Sequence, residues 1–190
     1  MTAPTISEYL KFVNLQMAAE SLFGFNAYTA KGSLEPSKAS TDPIKVTDLI
    51  DGNLHASKFT ATQAADFVTQ WQVVEHQSNT KTGFSGTLLK AIKDDPATGT
   101  KAGEYVMSFR STEFLDDAAR DNQSTNTLEI KEKGWAFGQI DDMEIWYKHL
   151  KDSGLLPAGQ AISVTGYSLG GHLATALKKG ARLELKARPR

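Results

Sequence analysis

Apolar positions along the chain change period several times, and each change marks an element. Thr5-Ile6-Ser7-Glu8 reads as a capping box, with Thr5 as N-cap and Glu8 three residues on. Behind it Tyr9, Leu10, Val13 and Met17 recur at helical spacing, and Gly24 offers a stop. Residues 26–58 lose that period. Pro36 and Pro43 stand among small polar residues, so this stretch reads as loop with one short helix near Val46–Ile50. Thr60-Ala61-Thr62-Gln63 repeats the capping-box signal and opens a short helix through Phe67 and Trp71.

The period then shortens. Trp71–Gln77, with Val73-Val74, and Gly83–Ile92, with Phe84, Thr87, Leu88 and Leu89, are strand candidates. Asp94-Asp95-Pro96-Ala97-Thr98-Gly99 is dense in turn residues, and Glu104–Arg110 follows with Tyr105, Val106, Met107 and Phe109. The pair reads as an antiparallel hairpin entering a sheet. Residues 111–134 are polar and read as loop. From about Ala136 to Ser153 the helical period returns, with Ile140, Met143, Tyr147 and Leu150 on one face and Gly154 as the C′ residue. Ala161-Ile162-Ser163-Val164 is a short buried-strand pattern, Gly166–Gly170 a turn, and His172–Leu177 the beginning of a helix. There are no internal repeats.

Composition adds boundaries to this picture. A chain of 190 residues, 40% hydrophobic and 23% charged, suits one globular domain with a real core. Its net charge of −1 argues against a nucleic-acid or membrane-surface partner. The charge is uneven: six cations against Glu184 give residues 178–190 a balance of +5, which leaves −6 on residues 1–177. The reading is a domain over 1–177 and a solvated basic tail over 178–190. With no cysteine, disulfides and thiolate chemistry are excluded. Met1-Thr2-Ala3-Pro4 lacks the basic and apolar regions of a signal peptide, which leaves the cytoplasm or a signal-independent route open. No apolar run is long enough to cross a bilayer.

The candidate chemistry lies in Gly166-Tyr167-Ser168-Leu169-Gly170, a G-x-S-x-G pattern between a buried-strand pattern and a helix start. A serine hydroxyl is a poor nucleophile until a base takes its proton, and it must be exposed and held rigidly. A sharp strand-to-helix turn does this, and glycines flanking the serine avoid clashes where strand and helix crowd together. The helix start also directs free backbone N–H groups at the site, with the Leu169 N–H as one oxyanion donor. A second donor has to come from an earlier strand-to-loop junction. Phe109-Arg110-Ser111-Thr112-Glu113 stands at one.

With both motifs in place, Glu104–Ala174 resembles the lipase class 3 superfamily and related bacterial lipases. Those proteins carry F-R-G-T or F-R-G-S at this junction, then a helix, then a strand into G-H-S-L-G-G. Here the corresponding residues are Phe109-Arg110-Ser111-Thr112 and Gly166-Tyr167-Ser168-Leu169-Gly170-Gly171, with Ser111 and Tyr167 as departures. The resemblance covers about 70 residues well and the N-terminal part loosely. It implies an α/β-hydrolase-like three-layer sandwich, cut short after the serine turn and preceded by a helical N-terminal region. It implies lipase or carboxylesterase chemistry on an ester or lipid substrate, with Ser168 as nucleophile and Thr112 and Leu169 as oxyanion donors. Phospholipase A1 and polyester depolymerase activities are related options.

The resemblance also implies an aspartate and a histidine downstream of the serine. The 22 residues after Ser168 hold one histidine, His172, and no aspartate; Glu184 lies in the basic tail. Related lipases often carry a histidine at the position of His172 without using it, so it is the weakest of the candidate site residues. His55, His76 and His149 read as structural. Asp116, Asp117, Asp121, Asp141, Asp142 and Glu144 read as solvated faces or loop ligands, and Asp141-Asp142-x-Glu144 has no matching histidine for a metal. No cofactor is expected. A fold missing strands has an open sheet edge, which predicts a homo-oligomer through that edge. Two readings follow: an ester hydrolase, or a non-catalytic remnant that binds acyl or lipid ligands.

Overall fold

A computed structural model describes residues 5–21, 23, 44–52, 58–111 and 136–187. Within them five helices and four strands follow one another as α1 (Ile6–Ala19), α2 (Val46–Asp51), α3 (Ala61–Gln70), β1 (Trp71–Gln77), β2 (Gly86–Ala91), β3 (Tyr105–Phe109), α4 (Phe137–Asp152), β4 (Ile162–Gly166) and α5 (Leu169–Ala187). The fold class is α/β. Both expected capping boxes are present. Thr5 Oγ1 accepts the Glu8 N–H while Glu8 accepts the Thr5 N–H, and Thr60 and Gln63 do the same at the start of α3. α3 ends at Gln70, and Trp71 already belongs to β1.

The sheet order is β1-β2-β3-β4, with β1–β2 and β2–β3 antiparallel and β3–β4 parallel. The expected hairpin is β2–β3. Its turn is closed by the Asp95–Thr100 bridge. β2 is shorter than the expected Gly83–Ile92, because Thr80 to Phe84 form a separate turn in which the Thr80 N–H donates to the Phe84 carbonyl at 2.9 Å. The polar connection from β3 to β4 carries α4, as a parallel pair requires.

Helices cover both faces. Leu15, Ala18, Leu49, Phe59, Phe67, Trp71, Val73, Leu89 and Val106 form the core beneath α1, α2 and α3. Phe84, Leu88, Met107, Phe109, Met143, Trp146, Leu150 and Leu173 form the core beneath α4 and α5. A register shift between Val73 and Glu75 turns Glu75 towards α4, where it accepts the Trp146 indole N–H at 2.7 Å.

Three expectations need adjustment. Of the apolar stripe of α1, Met17 alone packs against the core. Tyr9, Leu10 and Val13 are exposed, whereas Lys11, Leu15, Ala18 and Ala19 are buried. The sheet accepts α1 through alanines because small side chains let the backbones approach closely, and Lys11 is compensated by Glu104 at 3.1 Å. On α4 the expected Met143 and Leu150 are buried, but Ile140 and Tyr147 are only partly so, and Trp146 fills the centre of that face. The charge boundary at 177/178 is not a structural one, since α5 runs through it without a break to Ala187. No described helix is long and apolar enough to cross a membrane.

Candidate active site

β3 and β4 run parallel in a register that places Phe109 opposite Gly166, so the end of β3 and the turn after β4 reach the same edge of the sheet. In that turn Ser168 has φ +50°, the only left-handed non-glycine residue among those described. A side chain in this region is strained, and such strain persists only where the surroundings over-determine it. Here they do. A Cβ on Gly166 would lie 2.4 Å from the Gly170 carbonyl, and one on Gly170 would lie 2.3 Å from the Phe109 carbonyl oxygen. Both are backbone collisions that no rotamer change relieves. The Gly170 N–H donates to the Tyr167 carbonyl at 2.8 Å, and the His172 N–H to the Ser168 carbonyl at 3.2 Å. The chain thus passes from strand to helix in one sharp turn with Ser168 exposed at its apex.

Leu169 opens α5, with its side chain buried in the core. A first-turn amide has no acceptor within its own helix, so the Leu169 N–H is available at the apex. The β3 exit packs against the same turn, as the contact of Gly170 with the Phe109 and Arg110 carbonyls shows. Thr112, the other expected oxyanion donor, lies outside the described residues, which end at Ser111 on this side. His55, Asp116, Asp117 and Asp121 lie outside them as well.

The described histidines lie on α5, α4 and β1. His172 is one turn into α5, as expected, and its Nε2 accepts the Ala136 N–H at 3.3 Å. That bond ties α5 to the start of α4 and keeps this nitrogen unprotonated. Partial burial lowers the His172 pKa, with the nearby Lys179 charge acting in the same direction. His149 sits in the last turn of α4, with Nε2 3.1 Å from Glu75 Oε2. It is roughly 20 Å along the helix from Ala136 and therefore at the far end of α4 from His172. His76 is buried on β1, and its Nδ1 shares a 2.8 Å hydrogen bond with Thr87 Oγ1. Burial pushes its pKa well below the usual histidine range, and the Arg110 charge adds to the effect. His76 faces Thr87, Thr87 faces Ser108, and Ser108 faces Thr165 in successive strand pairs. Three strand spacings of about 4.8 Å put His76 on the order of 14 Å from β4, too far to serve Ser168.

Sequence reasoning missed the polar residues that brace this end of the sheet. Arg110 is buried, and it donates from Nε to the Ala19 carbonyl at 3.1 Å and from a terminal nitrogen to the Ser21 carbonyl at 2.8 Å. Glu20 Oε1 accepts the Ser111 N–H at 2.9 Å. The signal available was two charged residues at the ends of strongly apolar elements, which pattern alone assigns to solvent. Asp142 of the acidic cluster accepts the Thr82 hydroxyl hydrogen at 2.6 Å, and no metal-binding group occurs among the described residues. A groove of about 410 Å³ lies between α5 and β4, lined by Val164, Ala174, Thr175, Lys178 and Lys179. No protein-family model, curated protein or solved structure matches the chain.

Proposed function

We propose that the chain is a carboxylic ester hydrolase of α/β-hydrolase type, with Ser168 as its nucleophile. The observation that carries this reading is the left-handed Ser168 at the apex of a turn whose flanking glycines have no room for a Cβ. That geometry presents the hydroxyl beside the free N–H of Leu169, where the oxyanion of a tetrahedral intermediate would form. The β3 exit against Gly170 supports Thr112 as the source of the second donor. In the reaction Ser168 Oγ attacks the acyl carbon as its proton passes to solvent water, the two amides hold the developing negative charge, and the ester C–O bond breaks, the departing oxygen taking a proton from water. Water then releases the acid from the acyl-enzyme. With His172 Nε2 accepting from Ala136 and His76 and His149 remote from the turn, the rate rests on the oxyanion donors and binding, which alone retain about 10³–10⁴-fold over water in serine hydrolases stripped of triad members. Activated short-chain esters are the substrates such a site would turn over.

The occupation of His172 Nε2 by Ala136 favours a second reading, a non-catalytic module that binds acyl or lipid ligands. A fluorophosphonate probe separates the two. The hydrolase reading expects covalent labelling that disappears in Ser168→Ala, together with p-nitrophenyl butyrate hydrolysis that disappears in the same variant. A chain folded by circular dichroism that takes no label belongs to the second reading. Hydrolysis that survives Ser168→Ala removes Ser168 from the nucleophile role.

The partner proposal concerns β4. Its only strand neighbour among the described residues is β3, and the groove beside it leaves Val164 and Ala174 partly uncovered. An open edge of this kind favours pairing with a second copy. Light scattering on the eluted protein then gives twice the chain mass, and a clean monomer rejects the assembly.

A further inference from the structure

α1 buries a lysine and turns its most apolar side outward. Lys11, Leu15, Ala18 and Ala19 are buried, with Lys11 Nζ held 3.1 Å from Glu104 Oε1. On the opposite side Ile6, Tyr9, Leu10 and Val13 are 89, 59, 52 and 51% exposed. From Ile6 to Ala19 no other residue of the helix is exposed; Ser7, Glu8, Asn14 and Gln16 are all half-buried. The spacing i, i+3, i+4, i+7 puts the four apolar side chains on one continuous face. Met17, next in the row, packs against the core and closes the stripe. Together the four expose on the order of 400–500 Å² of apolar surface, a patch of the size that marks an interaction site on a single chain.

The exposed face carries no charge. That argues against an acidic or basic partner, and against an anionic bilayer, which amphipathic helices recognise through Lys and Arg beside the apolar stripe. Its position argues against a substrate surface. The stripe lies by the strand entrance, where Lys11 meets Glu104, whereas Ser168 follows the end of β4 that pairs with Phe109 at the β3 exit. A second α1 fits the face. In an antiparallel register centred between Tyr9 and Leu10, Ile6 meets Val13 of the second copy and Tyr9 meets its Leu10. Every member of one stripe then touches the other, no like charges are opposed, and the helix dipoles run head to tail. Two such patches bury about 1,000 Å² in total, at the low end of specific interfaces, which makes the pairing weak and concentration-dependent. We infer that the outward stripe of α1 is a docking surface for the same stripe of a second copy, the two helices antiparallel about a two-fold axis. The contact is independent of the hydrolase reading, and it uses the outer side of the helix rather than the open edge of β4.

The test is disulfide cross-linking in the full chain, which has no cysteine of its own. Ile6→Cys and Val13→Cys are made as separate variants, and both positions are exposed, so folding is not at stake. Mixed at high concentration under mild oxidation, the two variants are expected to give a linked dimer whatever pairing β4 makes. Each variant alone is expected to stay unlinked, because identical positions lie about 10 Å apart along the paired helices, beyond the reach of a disulfide. Adding Leu10→Glu to both variants places a carboxylate in the centre of the contact and should cut the linked fraction by about tenfold, with an unchanged circular dichroism spectrum. Ile145→Glu alters an exposed apolar residue on α4 instead and should leave the linked fraction unchanged. No linked dimer in the mixture overturns the inference. So does linkage that survives Leu10→Glu, which would report random collision, and so does linkage of Ile6→Cys alone, which the antiparallel register forbids. Flotation of the unaltered chain with phosphatidylcholine vesicles, lost in Leu10→Glu and without linkage in the mixture, assigns the stripe to a lipid surface and overturns it as well.

Discussion

The two faces of the sheet are built on different physical terms. Beneath α4 and α5 the core is apolar and rich in aromatics. Phe84, Phe109 and Trp146 stand mutually tilted at centroid separations of 5.9, 5.9 and 6.5 Å, and the one buried acid, Glu75, accepts from Trp146. Beneath α1 the face nearest the serine turn is polar. His76, Thr87 and Ser108 form a buried row across three strands, under Glu20, Ser21 and the Arg110 side chain. Ser21 Oγ, His76 Nε2 and Ser108 Oγ find no hydrogen-bond partner among the described residues. Burying polar atoms without partners is unfavourable, so this face gives up stability that the aromatic face supplies. The polar face also holds the strand exit beside Ser168. Stability and site construction are thus divided between opposite sides of one sheet.

That division predicts an order of effects. The largest is on the aromatic face: Trp146→Ala empties a filled site and leaves Glu75 Oε1 without the indole donor, and should lower unfolding stability by about 3–5 kcal/mol in urea titration. A loss below about 1 kcal/mol would mean that this face does not carry the fold. Next is acid sensitivity of the polar face. The folded-state pKa of His76 lies well below its unfolded value, so the unfolded chain takes up the proton first as pH falls. Stability is complete above an unfolded pKa of about 6.5 and declines below it by up to about 1.4 kcal/mol per pH unit, until the folded pKa is reached. Replacing His76 with Gln should flatten this limb between pH 6.5 and the acid transition, leaving the part due to His172, whose pKa is shifted in the same direction. An unchanged limb would place the titration elsewhere.

A smaller effect is expected at Thr87→Val, which keeps the shape but removes the hydroxyl bonded to His76 Nδ1. Stability should fall by about 1–3 kcal/mol, and a neutral result would show that this bond is not what holds the ring. The smallest belongs to Ser108→Ala. Its hydroxyl is buried without a partner among the described residues, so removing it should change stability by less than about 1 kcal/mol, with a gain as the favoured sign. A clear loss would show that the row is bridged by ordered water and is not simply unsatisfied.

Much of the fold was legible because it is locally encoded. The caps at Thr5 and Thr60 act over three residues, the strands β1 and β3 announce themselves in five to seven, and the turn between β2 and β3 is written in Asp94–Gly99. The serine turn belongs to the same class, since Gly166 meets Gly170 four residues on. The buried face of α1 was not legible. Its most apolar stripe, with Tyr9, Leu10 and Val13, points outward, while Lys11, Leu15, Ala18 and Ala19 point in. Periodicity finds a helix but chooses its inner face by hydrophobicity, and here close approach to the sheet favoured small side chains and one paired lysine. The brace at the strand exit was hidden for a related reason. Glu20 and Arg110 look like surface charges until a partner 90 residues away is known.

By itself, the sequence determined the order and type of the elements and the sharp turn at Ser168, because each depends on steric and hydrogen-bonding constraints between residues a few positions apart. The tertiary structure decided which side of α1 is buried, that Glu20 holds the Ser111 amide, and that His172 serves the start of α4 through a contact spanning 36 residues. These depend on closing long stretches of chain, and no local period encodes which polar groups then meet.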